Sequence, residues 1–309
     1  AVEGGLEVCA REPQAGVDGV EVDAERCRDF GRRHLLALRE DEDGAALVGA
    51  SGARYDDLAG RRALVTGASS GIGLGIAEAF LDQGMRVALH YRSHRAEAEA
   101  LAACHPGRAF PVGADLGREA DCVACLREAA AALGGLDQIV HSAATWNDGA
   151  IGRITAEGLE EIFRVNVFSA FYLVREALPL LGRTGRGNVI FIGSTAGQRG
   201  EAGHGNYAAT KGALQSLAMS LAVELAPSVR VNTVSPGWVR TPMAEAVLQS
   251  MGADIAGALP NRRVGEVEDV VHAVLYLASE ASGHLVGEDL GVSGGALLVV
   301  PRGQIVARP

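Results

Sequence analysis

Thr66-Gly67-Ala68-Ser69-Ser70-Gly71-Ile72-Gly73 is the stretch whose reading decides the fold. Before it stands the apolar run RRALVT (61–66); after it comes LGIAEAFLDQG (74–84), with apolar residues at helical spacing. A strand that turns through glycines into a helix brings free backbone N–H groups and a partial positive charge to one spot. A pyrophosphate that approaches that spot closely leaves no room for side chains. Gly67 permits the tight turn, Gly71 the close approach and Gly73 the packing of helix on strand, while Ser69, Ser70 and Ile72 complete the expected contact set. Glycines alone fit an ordinary turn equally well. The strand before them and the helix after them favour a dinucleotide loop.

Outward from the loop the alternation repeats. Short runs rich in Val, Ile and Leu follow at MRVALHY (85–91), RAFPVGA (108–114), LDQIVHSA (136–143), GNVIFIG (187–193), VRVNTVS (229–235) and EDLGVSG (288–294). Between most of them lie Ala-, Leu- and Glu-rich stretches of helical periodicity. This pattern predicts an α/β fold: a single doubly wound Rossmann domain with a seven-stranded parallel sheet and ligands beyond the strands' carboxyl ends. The expected domain runs over 59–309. Residues 1–58, with acidic and arginine-rich patches and no motif of recognisable chemistry, are expected as a short N-terminal extension of unknown role.

Composition narrows the partners. A net charge of −10 argues against nucleic acid, which needs a basic face. The start AVEGGLEVCA has no basic or apolar leader features, and no apolar run approaches the ~18–20 residues of a membrane span. The five cysteines are scattered rather than arranged as a disulfide framework, so a cytoplasmic location is expected. Cys122 and Cys125 share a face of the helical stretch READCVACLREAAAAL (118–133) and read as buried core; no second ligand pair suggests a metal site.

Chemistry concentrates at Tyr207-Ala-Ala-Thr-Lys211. The i, i+4 spacing puts phenol and ammonium on one helical face. A free tyrosine has a pKa of about 10, and a nearby cation is expected to bring it towards working pH. Ser194, at the end of GNVIFIG and thirteen residues before Tyr207, sets a hydroxyl where it can meet the phenol across the cleft.

The TGxxxGxG spacing, with Ser194, Tyr207 and Lys211 following in that order, resembles the short-chain dehydrogenase/reductase family over roughly Leu58 to Leu297. The nearest look is to ketoreductases of the 3-oxoacyl-carrier-protein reductase type. The resemblance implies roles for a catalytic set of Asn166, Ser194, Tyr207 and Lys211. Ser194 would polarise the carbonyl oxygen and Tyr207 exchange the proton. Lys211 would bind the nicotinamide ribose and lower the tyrosine pKa. Asn166 would interrupt its helix and hold a relay water. Asp115 and Leu116 match the adenine contact, and Asp115 could at the same time cap the next helix. In Pro236-Gly237-Trp238-Val239-Arg240-Thr241, the family's turn implies that Pro236, Gly237, Val239 and Thr241 meet the cofactor, with Val239 and Thr241 at the carboxamide. One stretch departs from the family: His141-Ser142-Ala143-Ala144 stands where Asn-Asn-Ala-Gly is usual. Ala143 still allows the cofactor to pass, and His141 is either an extra acid/base or a replacement for a structural asparagine.

The second strand ends His90-Tyr91-Arg92-Ser93 without the carboxylate that an NAD enzyme commonly offers the ribose 2′-hydroxyl. Arg92 can pair with a 2′-phosphate and Ser69 can add a hydroxyl, so NADP(H) is the expected cofactor and NAD(H) the alternative. Residues 242–264 match the family's substrate lid, with Arg262 and Arg263 at its end. The family also implies packing between subunits through 156–181 and 207–226, hence a homotetramer or homodimer. The expected function is an NADP(H)-dependent oxidoreductase reducing a ketone to a secondary alcohol, or the reverse, on a small-molecule substrate. The alternatives are an NAD-dependent dehydrogenase of a sugar or secondary alcohol, and a non-catalytic dinucleotide-sensing regulatory protein.

Overall fold

A computed structural model describes residues 54–147 and 149–298. Most of the expected N-terminal extension and the 299–309 tail lie outside the described residues. Seven strands, β1 (Arg62–Thr66), β2 (Arg86–Tyr91), β3 (Ala109–Gly113), β4 (Gln138–His141), β5 (Gly187–Ile192), β6 (Val229–Pro236) and β7 (Asp289–Val292), form one sheet in the order β3-β2-β1-β4-β5-β6-β7. Every pairing is parallel. The expected seven-stranded parallel Rossmann sheet is therefore present, and its strand order reverses between β1 and β4, where a crevice opens.

The strands form because both of their faces are buried. Ala63, Val65, Ile190 and Ile192 point to one side, against helices Gly71–Asp82 and Val267–Ala278. Leu64, Ile139, Val189 and Phe191 point to the other, against helices Glu119–Leu133, Ser169–Leu181 and Gly205–Leu225. A strand covered on both faces gains from apolar residues at every position, which is why these runs are continuous rather than alternating. Leu58, fully buried, belongs to the first cluster, so packing reaches back into the segment expected as an extension.

Cys122 and Cys125 are buried in the helix Glu119–Leu133, and burial pushes both thiols up to about 12. The Cys122 thiol donates to the Leu116 carbonyl. No helix among the described residues is long and apolar enough to cross a membrane.

Candidate active site

A cavity of about 330 Å³ lies at the switch point, along the carboxyl ends of the strands. Its floor is the glycine loop. Gly67 takes φ +68°, and a Cβ there would lie 3.0 Å from the Ala143 Cα. A Cβ on Gly73 would collide with the Gly67 carbonyl. Helix Gly71–Asp82 begins at Ser70 with no side-chain cap, which leaves its first N–H groups free for an anion. The Thr66 hydroxyl accepts from the Ser142 and Ala143 amides, both at 3.0 Å, and ties the loop after β4 to β1.

All the sequence-expected cofactor residues line this cavity: Gly67, Ser69, Ser70, Gly71, Ile72 and Gly73 of the loop, Arg92 after β2, Asp115 and Leu116 after β3, Ala143 after β4, Tyr207 and Lys211, and Pro236, Gly237, Val239 and Thr241 after β6. Arg92 is exposed and makes no ion pair among the described residues. Asp115 Oδ1 accepts from the Gly117 amide at 3.0 Å; helix Glu119–Leu133 starts after Arg118, so Asp115 shapes the turn rather than capping the helix.

Ser194, Tyr207 and Lys211 form the far wall. Ser194 follows β5 as the N-cap of a short helix, Thr195–Arg199, which intervenes before the helix Gly205–Leu225 that carries Tyr207 and Lys211. The Ser194 hydroxyl shares this wall with the phenol and favours its ionised form. Lys211 is buried, donates from Nζ to the Ile192 carbonyl at 2.7 Å, and holds that nitrogen 5.5 Å from the Tyr207 ring centre. Burial lowers its pKa to about 8. Here the structure departs from expectation. Tyr207 is raised to about 12, not lowered, because burial disfavours the phenolate more than the Ser194 hydroxyl relieves it. The ammonium is directed at a backbone carbonyl.

Asn166 sits apart from the cavity lining. A π-helical turn, Arg164–Phe168, interrupts the path from helix Ala156–Phe163 to helix Ser169–Leu181 at this residue. Its Oδ1 accepts from the Thr145 amide, and its Nδ2 donates to the Thr145 carbonyl and the Thr210 hydroxyl. Thr210 in turn donates to the Tyr207 carbonyl. Asn166 thus braces the helix of the phenol from behind.

Three other residues singled out in the sequence, His141, Arg262 and Arg263, lie off the cavity wall. His141 is buried outside the cavity lining; its Nε2 donates to the Ser169 hydroxyl, which donates to the Val165 carbonyl. Burial lowers its pKa to about 3, so it is a neutral brace between β4 and the neighbouring helix. Arg263 pairs with Asp269, and Arg262 donates to the Gly257 carbonyl; neither lines the cavity.

Sequence reasoning missed His90, Trp146, Arg199 and Glu201, all on the cavity wall. Trp146 stacks on His204, ring centres 4.5 Å apart and planes 19° off parallel. No local pattern marks these residues, because each reaches the cavity only through strand order or loop packing.

The chain is similar in sequence and fold to known proteins. A family model described as enoyl-(acyl carrier protein) reductase matches residues 67–296. The 3-oxoacyl-(acyl-carrier-protein) reductase of Escherichia coli (strain K12) is 33% identical over 244 residues, covering 78% of this chain and 98% of that protein. The L-fucose dehydrogenase of Oryctolagus cuniculus is 37% identical over 258 residues, covering 81% of this chain and 88% of that protein. Among solved structures, a Brucella melitensis short-chain dehydrogenase/reductase described as a glucose/ribitol dehydrogenase superposes with TM-score 0.76 at 30% identity, over 80% of this chain and all of that one.

Proposed function

This chain belongs to the short-chain dehydrogenase/reductase family of NAD(P)-dependent oxidoreductases, and we propose that it interconverts a ketone and a secondary alcohol with NADP(H), Tyr207 serving as general acid/base. The observation that carries this reading is one continuous wall, from the free helix N-terminus at Ser70 to the Ser194–Tyr207–Lys211 cluster.

The lining suits a dinucleotide. The N–H groups of residues 70–73 meet the phosphates, with Gly67 and Ala143 keeping the path narrow and free of side chains. Asp115 and Leu116 take the adenine; Val239 and Thr241, on the Pro236-Gly237 turn, take the carboxamide. When bound, the nicotinamide supplies or accepts a hydride at the carbonyl carbon. Ser194 orients the carbonyl oxygen beside the phenol. Tyr207 gives its proton to that oxygen in reduction and takes it back in oxidation. Lys211 uses one N–H on Ile192 and keeps two donors for the ribose hydroxyls. Asn166 holds its helix open at the π turn, where a water can relay protons towards Lys211. Residues 242–264 serve as lid: Pro242, Met243 and Ala244 line the cavity, and helix Glu245–Ala258 buries none of its residues.

NADP(H) is favoured because Arg92 is an exposed guanidinium on the cavity wall with no ion pair among the described residues, and no carboxylate ends β2 to repel a 2′-phosphate. Parallel titration with NADPH and NADH should show NADPH bound at least tenfold tighter, a difference of about 1.4 kcal/mol. Arg92→Ala should erase most of that preference. NADH favoured tenfold would show this use of Arg92 to be wrong.

A second reading, a dehydrogenase of a sugar, has its own observation. The Trp146–His204 stack offers a flat apolar face, while Arg199 and Glu201 reach the same cavity without side-chain partners among the described residues. A hydroxylated ring satisfies such groups, whereas an alkyl chain leaves them unpaired. Including sugars and polyols beside simple ketones in the turnover screen separates the two readings.

We also propose assembly into a tetramer or dimer. Phe168 and Phe171 on one side, and Met219 and Val223 on helix Gly205–Leu225, are exposed apolar side chains on the two stretches expected to pack between subunits. Sedimentation should show two or four copies; monomer alone at micromolar concentration would refute this.

A further inference from the structure

His90 is the penultimate residue of β2, which lies between β1 and β3, the strands that lead into the glycine loop and the Asp115 loop of the cavity. It is buried, at 3% exposure, yet its ring borders the cavity. Three hydrogen bonds converge on this residue. The Gly67 amide donates to Nδ1 at 3.0 Å, and the Ala68 amide donates to the His90 carbonyl at 2.9 Å. On the other side, Nε2 lies 3.2 Å from the Ala114 carbonyl, immediately before Asp115.

The first contact fixes the tautomer. An amide can only donate, so Nδ1 carries no proton; the neutral ring then holds its proton on Nε2 and donates it to Ala114. Gly67 turns out of the sheet with φ +68°, so its amide leaves the strand ladder and needs another acceptor. β1 and β3 are not neighbours, and they never bond to each other directly. One imidazole spans the gap that their loops must keep.

We propose that His90 is a positioning residue for the nucleotide: its neutral ring sets the spacing between the glycine loop and the Asp115 loop, across which the adenosine half lies. This rests on the reading of the cavity as a nucleotide site. The ring is neutral at working pH, since burial lowers its pKa to about 4. It touches no reacting atom, so its effect falls on nucleotide binding and not on proton transfer.

The test uses NADPH binding to the full chain, followed by fluorescence, with thermal unfolding of the nucleotide-free protein measured in parallel. His90→Leu removes both ring contacts. His90→Asn keeps an acceptor for Gly67 at the place of Nδ1, while its amide falls about one bond short of the Ala114 carbonyl. His90→Leu should weaken NADPH binding tenfold or more and leave KM for the carbonyl substrate within twofold. His90→Asn should recover part of that loss and bind NADPH at least threefold tighter than His90→Leu. Equal affinity in wild type and His90→Leu, or equal losses in both variants, would overturn the proposal. Lowered melting with unchanged affinity would assign the residue to stability alone, which also overturns it. If His90→Leu does not fold, nitrogen NMR of wild-type protein labelled at histidine decides: the proposal requires an Nε2–H tautomer, and an Nδ1–H tautomer refutes it. Failure of wild type to bind any nicotinamide nucleotide would instead refute the proposed function, so the two failures are distinguishable.

Discussion

Tyr207→Phe should lower kcat about a thousandfold or more while NADPH affinity stays within about threefold of wild type. The substitution removes one oxygen from a wall whose other contacts, Ser194 on Ala196 and Lys211 on Ile192, do not depend on it. A positioned general acid accounts for about 10²- to 10⁴-fold in rate, and a thousandfold loss is about 4 kcal/mol of transition-state stabilisation. The pH dependence gives the sign. Burial raises the phenol to about 12, so at neutral pH it is protonated and ready to donate. Reduction should therefore show no loss through Tyr207 ionisation between pH 6 and 8. Oxidation needs the phenolate and should rise about tenfold per pH unit over the same range. Above about pH 8, where buried Lys211 loses its proton, ribose binding should weaken in both directions. Equal pH slopes for the two directions would mean that another group moves the proton.

Gly73→Val should abolish measurable nucleotide binding, weakening it by at least a hundredfold, about 2.7 kcal/mol. A Cβ at Gly73 has no free space: it meets the Gly67 carbonyl carbon at 2.7 Å and the Thr66 carbonyl oxygen at 3.2 Å. Relief requires the helix start to move away from the strand end, and the aligned N–H donors move with it. Calorimetric titration with NADPH, beside circular dichroism to confirm the fold, measures this. The smaller Gly73→Ala meets the same backbone and should still lose at least tenfold. Wild-type affinity in a folded Gly73→Val protein would remove the glycine loop from the nucleotide site.

The parts legible in the sequence and the parts not differ for a physical reason. Strands β1, β4 and β5 announce themselves because burial on both faces demands unbroken runs such as ALV, QIV and NVIFI. The glycine loop is equally plain, since close backbone approach restricts residue type position by position. Ser194, Tyr207 and Lys211 are legible as a spacing, and the fold brings them to one wall. What spacing does not carry is environment. The rise of the Tyr207 pKa comes from desolvation, a property of everything packed around the phenol. His90 looks like any strand-end residue until the strand order sets β2 between β1 and β3. His141 shows the converse: of its two readings, extra acid/base and stand-in for a structural asparagine, the hydrogen bond to Ser169 in the core favours the second. The Trp146–His204 stack joins two loops nearly sixty residues apart, which no local periodicity reveals.

Transfer of deuterium from C4-labelled NADPH to a carbonyl carbon tests the central claim most directly. The protein is incubated with the labelled nucleotide and a panel of ketones and ketoses, and the products are read by mass spectrometry. The account predicts label on the carbinol carbon of at least one product with wild type, and a rate about a thousandfold lower with Tyr207→Phe. Tight NADPH binding with no label moved to any substrate would contradict it and favour a nucleotide sensor; transfer by Tyr207→Phe at the wild-type rate would remove Tyr207 from the chemistry.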